Sequence, residues 1–393
     1  MAMSRAVAAG RMAGIEPFRV MDLLARARAL EAQGRDIVHL EIGEPDFPTA
    51  APIVEAGCRA LRAGHTHYTP AAGLPELRTA IAADYARHGV ALDPGRVLVT
   101  PGASGALQLV LAAVVDPGRR VLMADPGYPC NRHFVRLFDG VAAPVPVGPD
   151  CAYRLTPELL ERHWTADVAA VLIASPANPT GTVVPRAELE AVREFVTNRG
   201  AVLVVDEIYH GLVYGEPAAS AVEPDGEADV FVVNSFSKYF GMTGWRVGWV
   251  VSPRRWVEDL DKLAQNLFLA ASTPAQYAAV AALAPQTAPL LEARREEFRR
   301  RRDYLLPALR ELGFSIPLVP QGAFYLYADS SALTSDSEAF SRALLDEAGV
   351  AVTPGNDFGV HAPERHLRFA YTTGLDRLQE GVARIRAFLD RMS

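Results

Sequence analysis

Of the 39 lysines and arginines in the chain only two are lysine, Lys238 and Lys262, which leaves 37 arginines. An amine can lose its proton and attack a carbonyl to form a Schiff base; a guanidinium stays charged and does neither. Where arginine has replaced lysine almost throughout, a retained lysine marks a task that arginine cannot perform. Lys262 lies in Val257-Glu258-Asp259-Leu260-Asp261-Lys262, which reads as a solvated helix face. Lys238 lies in Ser235-Phe236-Ser237-Lys238, followed by Gly241, Gly244, Arg246 and Gly248, directly after the apolar run Val230-Phe231-Val232-Val233. That pattern is a strand handing a lysine to a polar pocket, with small residues that let backbone approach a ligand. Ser235, Ser237 and Arg246 together carry the donors a phosphate needs, the arginine as a charged fork. Taken alone, an ordinary loop lysine is the competing reading.

Other positions have chemistry available to them. Five apolar residues, Ala201-Val202-Leu203-Val204-Val205, run into Asp206-Glu207-Ile208-Tyr209, so a buried parallel strand delivers Asp206 to a sheet edge. A carboxylate there needs a cationic partner. Tyr209 stands three residues on. Asn178 stands between prolines in Ser175-Pro176-Ala177-Asn178-Pro179-Thr180-Gly181, either as plain turn chemistry or as an amide held stiffly for a ligand oxygen. Gly102-Ala103-Ser104 follows a strand and opens a helix, an arrangement whose free N–H groups suit phosphate. It is not a G-x-G-x-x-G turn and no acidic ribose partner follows, so a dinucleotide site is disfavoured. Tyr128, in Asp125-Pro126-Gly127-Tyr128-Pro129, either packs in the core or lies flat on a heterocycle. Gly43, in Gly43-Glu44-Pro45-Asp46-Phe47-Pro48, leaves room for backbone to meet a substrate carboxylate. Arg368 alternates with apolar neighbours in Leu367-Arg368-Phe369-Ala370-Tyr371, and an arginine among buried positions wants an anion. His65 and His67 have no further metal ligands beside them and read as loop histidines.

Positioning these groups takes an α/β chain. The periodicity predicts a helix over 17–33, with Val20, Leu23, Leu24, Ala27 and Leu30 on one side, then a short strand over 37–40 and a helix over 49–63. From residue 95 strands and helices alternate: strands over 96–100, 120–124, 141–147, 168–174, 201–205 and 230–234, with helices over 102–115 and 185–198. Residues 286–311 form a long helix rich in arginine. Interleaved glutamates allow pairs such as Glu296 with Arg300, so a solvated interdomain helix is preferred to a nucleic-acid stripe, with Pro307 kinking its end. A small α+β unit closes the chain: strand 323–328, helix 336–348, strand 366–370 and helix 375–391.

At 393 residues the chain is too long for one small core, so two domains are expected. A net charge of −7 and a pI near 5.8 argue against nucleic acid or an anionic membrane as main partner. No apolar run is long enough to span a bilayer. Three cysteines (Cys58, Cys130, Cys151) without metal-ligand spacing indicate a reducing cytoplasm. Residues 1–14, basic and free of acids, are read as a frayed terminus, since Arg11 interrupts any secretory core; a transit peptide is the alternative.

The segment from Ser235 to Gly248 fits S-x-S-K-x-x-G-x-x-G-x-R-x-G without a gap. With I-G-E-P-D-F at 42–47, N-P-T-G at 178–181 and the other segments in order, the chain over residues 15–390 resembles the class I/II, fold-type I, pyridoxal-phosphate-dependent aminotransferases. The resemblance implies a large cofactor-binding domain over 48–285 with a mainly parallel sheet between helices. A small α+β domain over 286–393 is joined by the N-terminal segment 1–47. It also implies a homodimer with shared active sites, in which Tyr68 bonds the cofactor phosphate of the other subunit. Lys238 would hold pyridoxal 5'-phosphate as a Schiff base and act as general base. Asp206 would keep the pyridine nitrogen protonated, Tyr128 would stack on the ring, and Asn178 and Tyr209 would contact its hydroxyl. Ala103, Ser104, Ser235, Ser237 and Arg246 would anchor the phosphate. Arg368, with Gly43 and Asn178, would bind the substrate carboxylate. The implied reaction moves an amino group from an L-amino acid to a 2-oxo acid. One subgroup of aspartate aminotransferases has a lysine in the glycine turn to read a distal carboxylate; Ser104 stands there here, so a neutral donor, aliphatic or aromatic, is expected. A C–S β-lyase on the same fold is the near alternative. A regulator built on such a domain is the distant one, for which the segment before Gly43 is too short to hold a DNA-binding unit.

Overall fold

The computed structural model describes residues 7–392. Helix α1 (Arg19–Glu31) leads to strand β1 (Val38–His39), then helices α2 (Ala51–Arg62) and α3 (Pro75–Arg87). Strand β2 (Val97–Thr100), helix α4 (Gly102–Val114), strand β3 (Arg120–Asp125), helix α5 (Pro129–Leu137), strand β4 (Val141–Pro146) and helix α6 (Pro157–His163) follow. Next come strand β5 (Val168–Ala174), helix α7 (Arg186–Thr197), and strands β6 (Val202–Asp206), β7 (Val230–Ser235) and β8 (Gly248–Val251). Helices α8 (Val257–Leu267), α9 (Thr273–Ala282) and α10 (Ala288–Glu311) precede strand β9 (Tyr325–Asp329) and helix α11 (Ser337–Ala343), which runs on into a π turn at Leu344–Ala348. Strands β10 (Val350–Ala351), β11 (Thr353–Pro354) and β12 (His366–Ala370), then helix α12 (Leu375–Met392), end the chain.

Seven strands form the main sheet in the order β2-β8-β7-β6-β5-β3-β4, and only β8 runs against the others. Strands β6 and β7 are apolar at nearly every position because helices cover both faces. One apolar cluster fills each face: Leu77, Ile81, Val171 and Val205 on one side, Leu107, Val110, Val204 and Phe231 on the other. A third cluster joins β9, β12, α10 and α12 to Val38 and Leu40 of the N-terminal segment. There β1 pairs in parallel with β10, while β12 lies antiparallel between β11 and β9. Because β2, β3, β5, β6 and β7 run the same way, their carboxyl ends, and the loops that follow them, collect at one edge.

Several elements depart from the sequence reading. Helices α3, α5, α6 and α9 were not foreseen; each opens with proline in its first turn, which favours a helix start but reads locally as a loop. In α10 the pairs run Glu296 to Arg299 and Glu297 to Arg300, not Glu296 to Arg300. Two of its arginines are buried rather than solvated: Arg301 pairs with Asp46 at 2.9 Å, and Arg302 donates to Pro320 O at 2.8 Å. The helix runs through Pro307. Of the terminus expected to fray, Gly10–Gly14 form a 3-10 turn, and Arg11 donates to Asp139 and Arg136 to Gly14 O; residues 1–6 lie outside the described residues. No helix among the described residues is long and apolar enough to cross a membrane.

Candidate active site

A cavity of about 340 Å³ opens at the carboxyl edge of the main sheet, between it and the N-terminal segment. Eleven of the thirteen residues singled out from sequence line it: Gly43, Ala103, Ser104, Tyr128, Asn178, Asp206, Tyr209, Ser237, Lys238, Arg246 and Arg368. The other two lie elsewhere. Ser235 is 1% exposed behind the wall, its Oγ 2.9 Å from Ser237 Oγ and 3.1 Å from Val247 O, where it holds the turn that presents Ser237. Tyr68 is 83% exposed on the protein surface, away from the cavity of its own chain.

Lys238 follows β7 and donates from Nζ to Gly43 O at 2.6 Å. Burial, aided by the charges of Arg368 and Arg246 and opposed by Glu44 and Asp206, lowers its amine to about 8. Asp206 ends β6, 5% exposed, with Ile208 N–H donating to Oδ1 at 3.0 Å. Burial raises its carboxyl to about 6, against the Ile208 hydrogen bond and the charge of Lys238. A carboxylate lifted this far for want of a close cation is suited to a protonated ring nitrogen. Tyr209, also buried, places its hydroxyl 2.8 Å from that of Tyr325, and burial pushes its phenol well above the ordinary range.

At the opposite end, α4 starts directly after β2 and presents Ala103 and Ser104 in its first turn. Gly102 is left-handed (φ 71°), and a Cβ there would lie 2.6 Å from an Arg246 guanidinium nitrogen. Gly248 is needed equally, because its Cβ would meet Ala103 N at 2.7 Å. Arg246 itself is left-handed (φ 55°, ψ 53°), a conformation that costs about 1–3 kcal/mol in a residue with a side chain. The start of α4, Ser104, Ser237 and Arg246 all line the cavity, a donor set that fits a phosphate.

Arg368, on β12, is 3% exposed over an aromatic floor, with Tyr325 and Phe358 ring centres 4.3 and 4.7 Å from its guanidinium carbon. It donates to Asn178 Oδ1 at 3.1 Å, to Thr353 Oγ1 at 3.3 Å and to Glu41 O, while its Nε has no hydrogen-bond partner. No carboxylate among the described residues forms an ion pair with it. A buried cation that no carboxylate touches, although the charge of Asp357 acts on it from a distance, is a place for a substrate carboxylate. With its oxygen engaged by Arg368, Asn178 keeps its NH2 group as a donor. Gly43 has the required room: a Cβ there would lie 2.1 Å from Tyr325 Oη.

Sequence reasoning missed the apolar wall and Tyr325. Phe18, Val20, Met21 and Leu24 line the cavity from the start of α1, joined by Ile42, Leu107 and Ile208. The sequence reading placed Val20 and Leu24 on one side of α1 but gave them no part in a site; Leu24 is half-buried and Met21 is 54% exposed. Nothing local distinguishes Tyr325 from other strand aromatics.

A helix start with Ser104, Ser237 and Arg246, a buried acid, a lysine of lowered basicity and an arginine that no carboxylate touches line one cavity, a set that fits pyridoxal phosphate and an amino acid. Comparisons with known proteins agree. The family model for aminotransferase class I and II matches residues 35–385. A valine–pyruvate aminotransferase of Mycobacterium tuberculosis is 38% identical over 379 residues, covering 96% of this chain and 97% of that protein. An aspartate aminotransferase of Geobacillus stearothermophilus is 34% identical over 391 residues, covering 97% and 98%. Among solved structures, an aminotransferase from Mycobacterium tuberculosis superposes with a TM-score of 0.94 at 37% identity, covering 98% of this chain and all of that one. Aspartate aminotransferase from Thermus thermophilus with maleate gives 0.92 at 35% identity, with 98% and 100% coverage. The chain therefore belongs to the class I and II aminotransferases, pyridoxal-phosphate-dependent enzymes of the fold-type I architecture.

Proposed function

We propose that the enzyme transfers the amino group of a neutral L-amino acid, aliphatic or aromatic, to a 2-oxo acid. The observation that carries this reading is the cavity wall. Its cations are Lys238, Arg246 and Arg368, each with a task of its own, and the remaining surface is largely apolar, built from Phe18, Val20, Met21, Leu24, Ile42, Leu107 and Ile208. Ser104 stands where a distal-carboxylate lysine would be. Relatives do not decide the donor, since those named for valine and for aspartate are 38% and 34% identical.

In this reading Arg368 and Asn178 bind the donor's α-carboxylate beside the Gly43 backbone. The Lys238 amine would hold the cofactor through its aldehyde and would be the base that takes the proton from the donor's Cα. Asp206 would keep the ring nitrogen protonated, Tyr128 would pack on the ring, and Asn178 and Tyr209 would hydrogen-bond its hydroxyl. Bound pyridoxal phosphate supplies an electron sink for the pair left on Cα. Ala103, Ser104, Ser237 and Arg246 anchor the phosphate, with Ser235 supporting Ser237 and the partner subunit's Tyr68 completing the set in a homodimer. Residues 48–285 serve as the cofactor-binding domain and 1–47 with 286–393 as the small one; the pairing of β1 with β10 supports this for Val38–His39, whereas Gly10–Gly14 bonds to the end of α5 and Asp139 in the larger unit. The free state of Cys58, Cys130 and Cys151 supports a cytoplasmic setting.

The test compares kcat/KM for aspartate with that for alanine, valine and phenylalanine, with pyruvate as acceptor. Valine or phenylalanine should lead. Apolar pockets separate donors by only ~1–3 kcal/mol per methylene, so the ranking among neutral donors will be shallow. Aspartate ahead by more than about tenfold would overturn the reading.

A further inference from the structure

Helix α1 supplies much of the apolar wall, yet it lacks a cap of its own: Phe18, at its N-cap position, makes no side-chain hydrogen bond to the first turn. The cap comes from the far end of the chain. Asp357, in the short turn Gly355–Asp357 after β11, accepts from Arg19 N at Oδ1, 3.1 Å away. Its carboxylate is 1% exposed and Oδ2 has no hydrogen-bond partner. Several contacts fix the turn that carries it. Arg132 donates to Asp357 O at 3.1 Å, Asn356 donates to Glu338, and Glu338 pairs with Arg19 at 3.4 Å. The next residue, Phe358, is part of the floor under Arg368.

A buried carboxylate with one oxygen unmatched is a poor stabiliser, since desolvation offsets most of what it gains. What it does in this place is tie the first turn of α1 to the loop that floors the carboxylate clamp. That turn carries Val20 and Met21, with Phe18 just before it and Leu24 one turn on, all facing the cavity. We propose that Asp357 is a specificity-determining positioning residue, which by capping α1 from the opposite end of the chain holds the apolar wall against the donor's side chain. The inference rests on the apolar-donor reading above. The charge of Asp357 also acts on Arg368, an effect common to all donors because each presents the same α-carboxylate, so the capping role shows in the ratio of large to methyl-sized donors rather than in the absolute rate.

The experiment uses the holoenzyme carrying Asp357→Ala or Asp357→Asn. For the alanine variant, kcat/KM for valine and phenylalanine should fall about 5- to 10-fold more than that for alanine, mainly through KM. Tenfold corresponds to about 1.4 kcal/mol, the scale of one helix cap. Amide exchange in α1 should speed up, and the absorbance of the lysine–cofactor linkage should not change. Asp357→Asn keeps an oxygen acceptor and should restore most of the valine-to-alanine ratio. Should Asp357→Ala not fold, Asp357→Ser, too short to reach Arg19, is read against the same outcomes. An unchanged ratio, or equal losses for alanine and valine, overturns the role of Asp357. A preference for aspartate in the unaltered enzyme overturns the donor reading instead.

Discussion

If Lys238 captures the cofactor, the rate of capture by the apoenzyme must follow its free amine. Burial of the ammonium, helped by Arg368 and Arg246 and opposed by Glu44, brings that amine from the ordinary 10.5 to about 8. At pH 7 an amine with a pKa of about 8 is about one-tenth neutral, whereas one at 10.5 is about 3 parts in 10,000 neutral. The structure therefore supplies about 300-fold more nucleophile than an exposed lysine at the same pH. The sign follows directly: capture should accelerate as pH rises from 6, bend near 8 and be flat well before 10. Stopped-flow absorbance of the apoenzyme mixed with pyridoxal phosphate measures this, normalised to a free lysine derivative to remove the cofactor's own titrations. Glu44→Gln deletes the charge that favours the ammonium and should move the bend below 8. Arg368→Gln deletes one that disfavours it and should move the bend above 8. Borohydride reduction and peptide mapping then locate the bond, which should lie on Lys238, with Lys262→Ala nearly silent. A bend in the range of an ordinary lysine, or label on Lys262, would refute the reasoning.

Asp206→Asn should keep the cofactor but lose at least ~10³-fold in turnover, several kcal/mol at ~1.4 per tenfold; near-normal turnover removes its role. Because the buried Asp206 carboxyl is raised to about 6, the folded apoenzyme is penalised as pH climbs from about 4 through 6, so apo Asp206→Asn should melt higher than the parent at pH 7 and equally at pH 4, with the sign reversed once cofactor supplies a cation. Tyr68→Phe should weaken cofactor retention, and mixing it with Lys238→Ala should recover activity in hybrid dimers that contain one unaltered site; a fully active monomer in ultracentrifugation rules this out.

The parts of the site that were legible in the sequence sit where local pattern is strongest. Asp206, Asn178 and Lys238 each follow a β-branched or aliphatic strand that both faces of the sheet force to be apolar, so a polar residue at its end stands out. Lys238 was further exposed by the near absence of other lysines. The less legible parts depend on contacts between distant segments. Tyr209 and Tyr325 are 116 residues apart, Arg19 and Asp357 are 338 apart, and Arg368 and Glu41 are 327 apart. Strand β8 was hidden because Gly248-Trp249-Val250-Val251 reads as the tail of the glycine motif; only its antiparallel insertion between β2 and β7 gives it a role. Arg301 was misread as solvated because its charge pattern on α10 matches an exposed face. Its partner Asp46 and the ring of Phe47, 5.0 Å from its guanidinium carbon, come from the other end of the chain.

One strip of backbone explains why the lysine and the arginine can work on the same substrate. Four successive carbonyls entering the cavity are each accounted for. Leu40 O accepts from Ala370 N, Glu41 O from Arg368 and from Thr353 Oγ1 at 3.1 Å, Ile42 O from Thr372 Oγ1 at 2.8 Å, and Gly43 O from Lys238 Nζ at 2.6 Å. Arg368, Ala370 and Thr372 alternate along β12 and just beyond it, so they meet the strip from one side while Lys238 arrives from the main sheet. The cation that would bind the α-carboxylate and the amine that would take the α-proton are therefore referenced to carbonyls two residues apart. In this state their separation is set by hydrogen bonds to one continuous strip of backbone. On the proposed reading, a donor whose carboxylate is held by Arg368 presents its Cα at a fixed reach of Lys238 whatever its side chain. Proton transfer then gains from orientation that has already been met on binding. On the same reading, discrimination between donors would come from the apolar surface that this strip does not fix, the start of α1 together with Leu107 and Ile208.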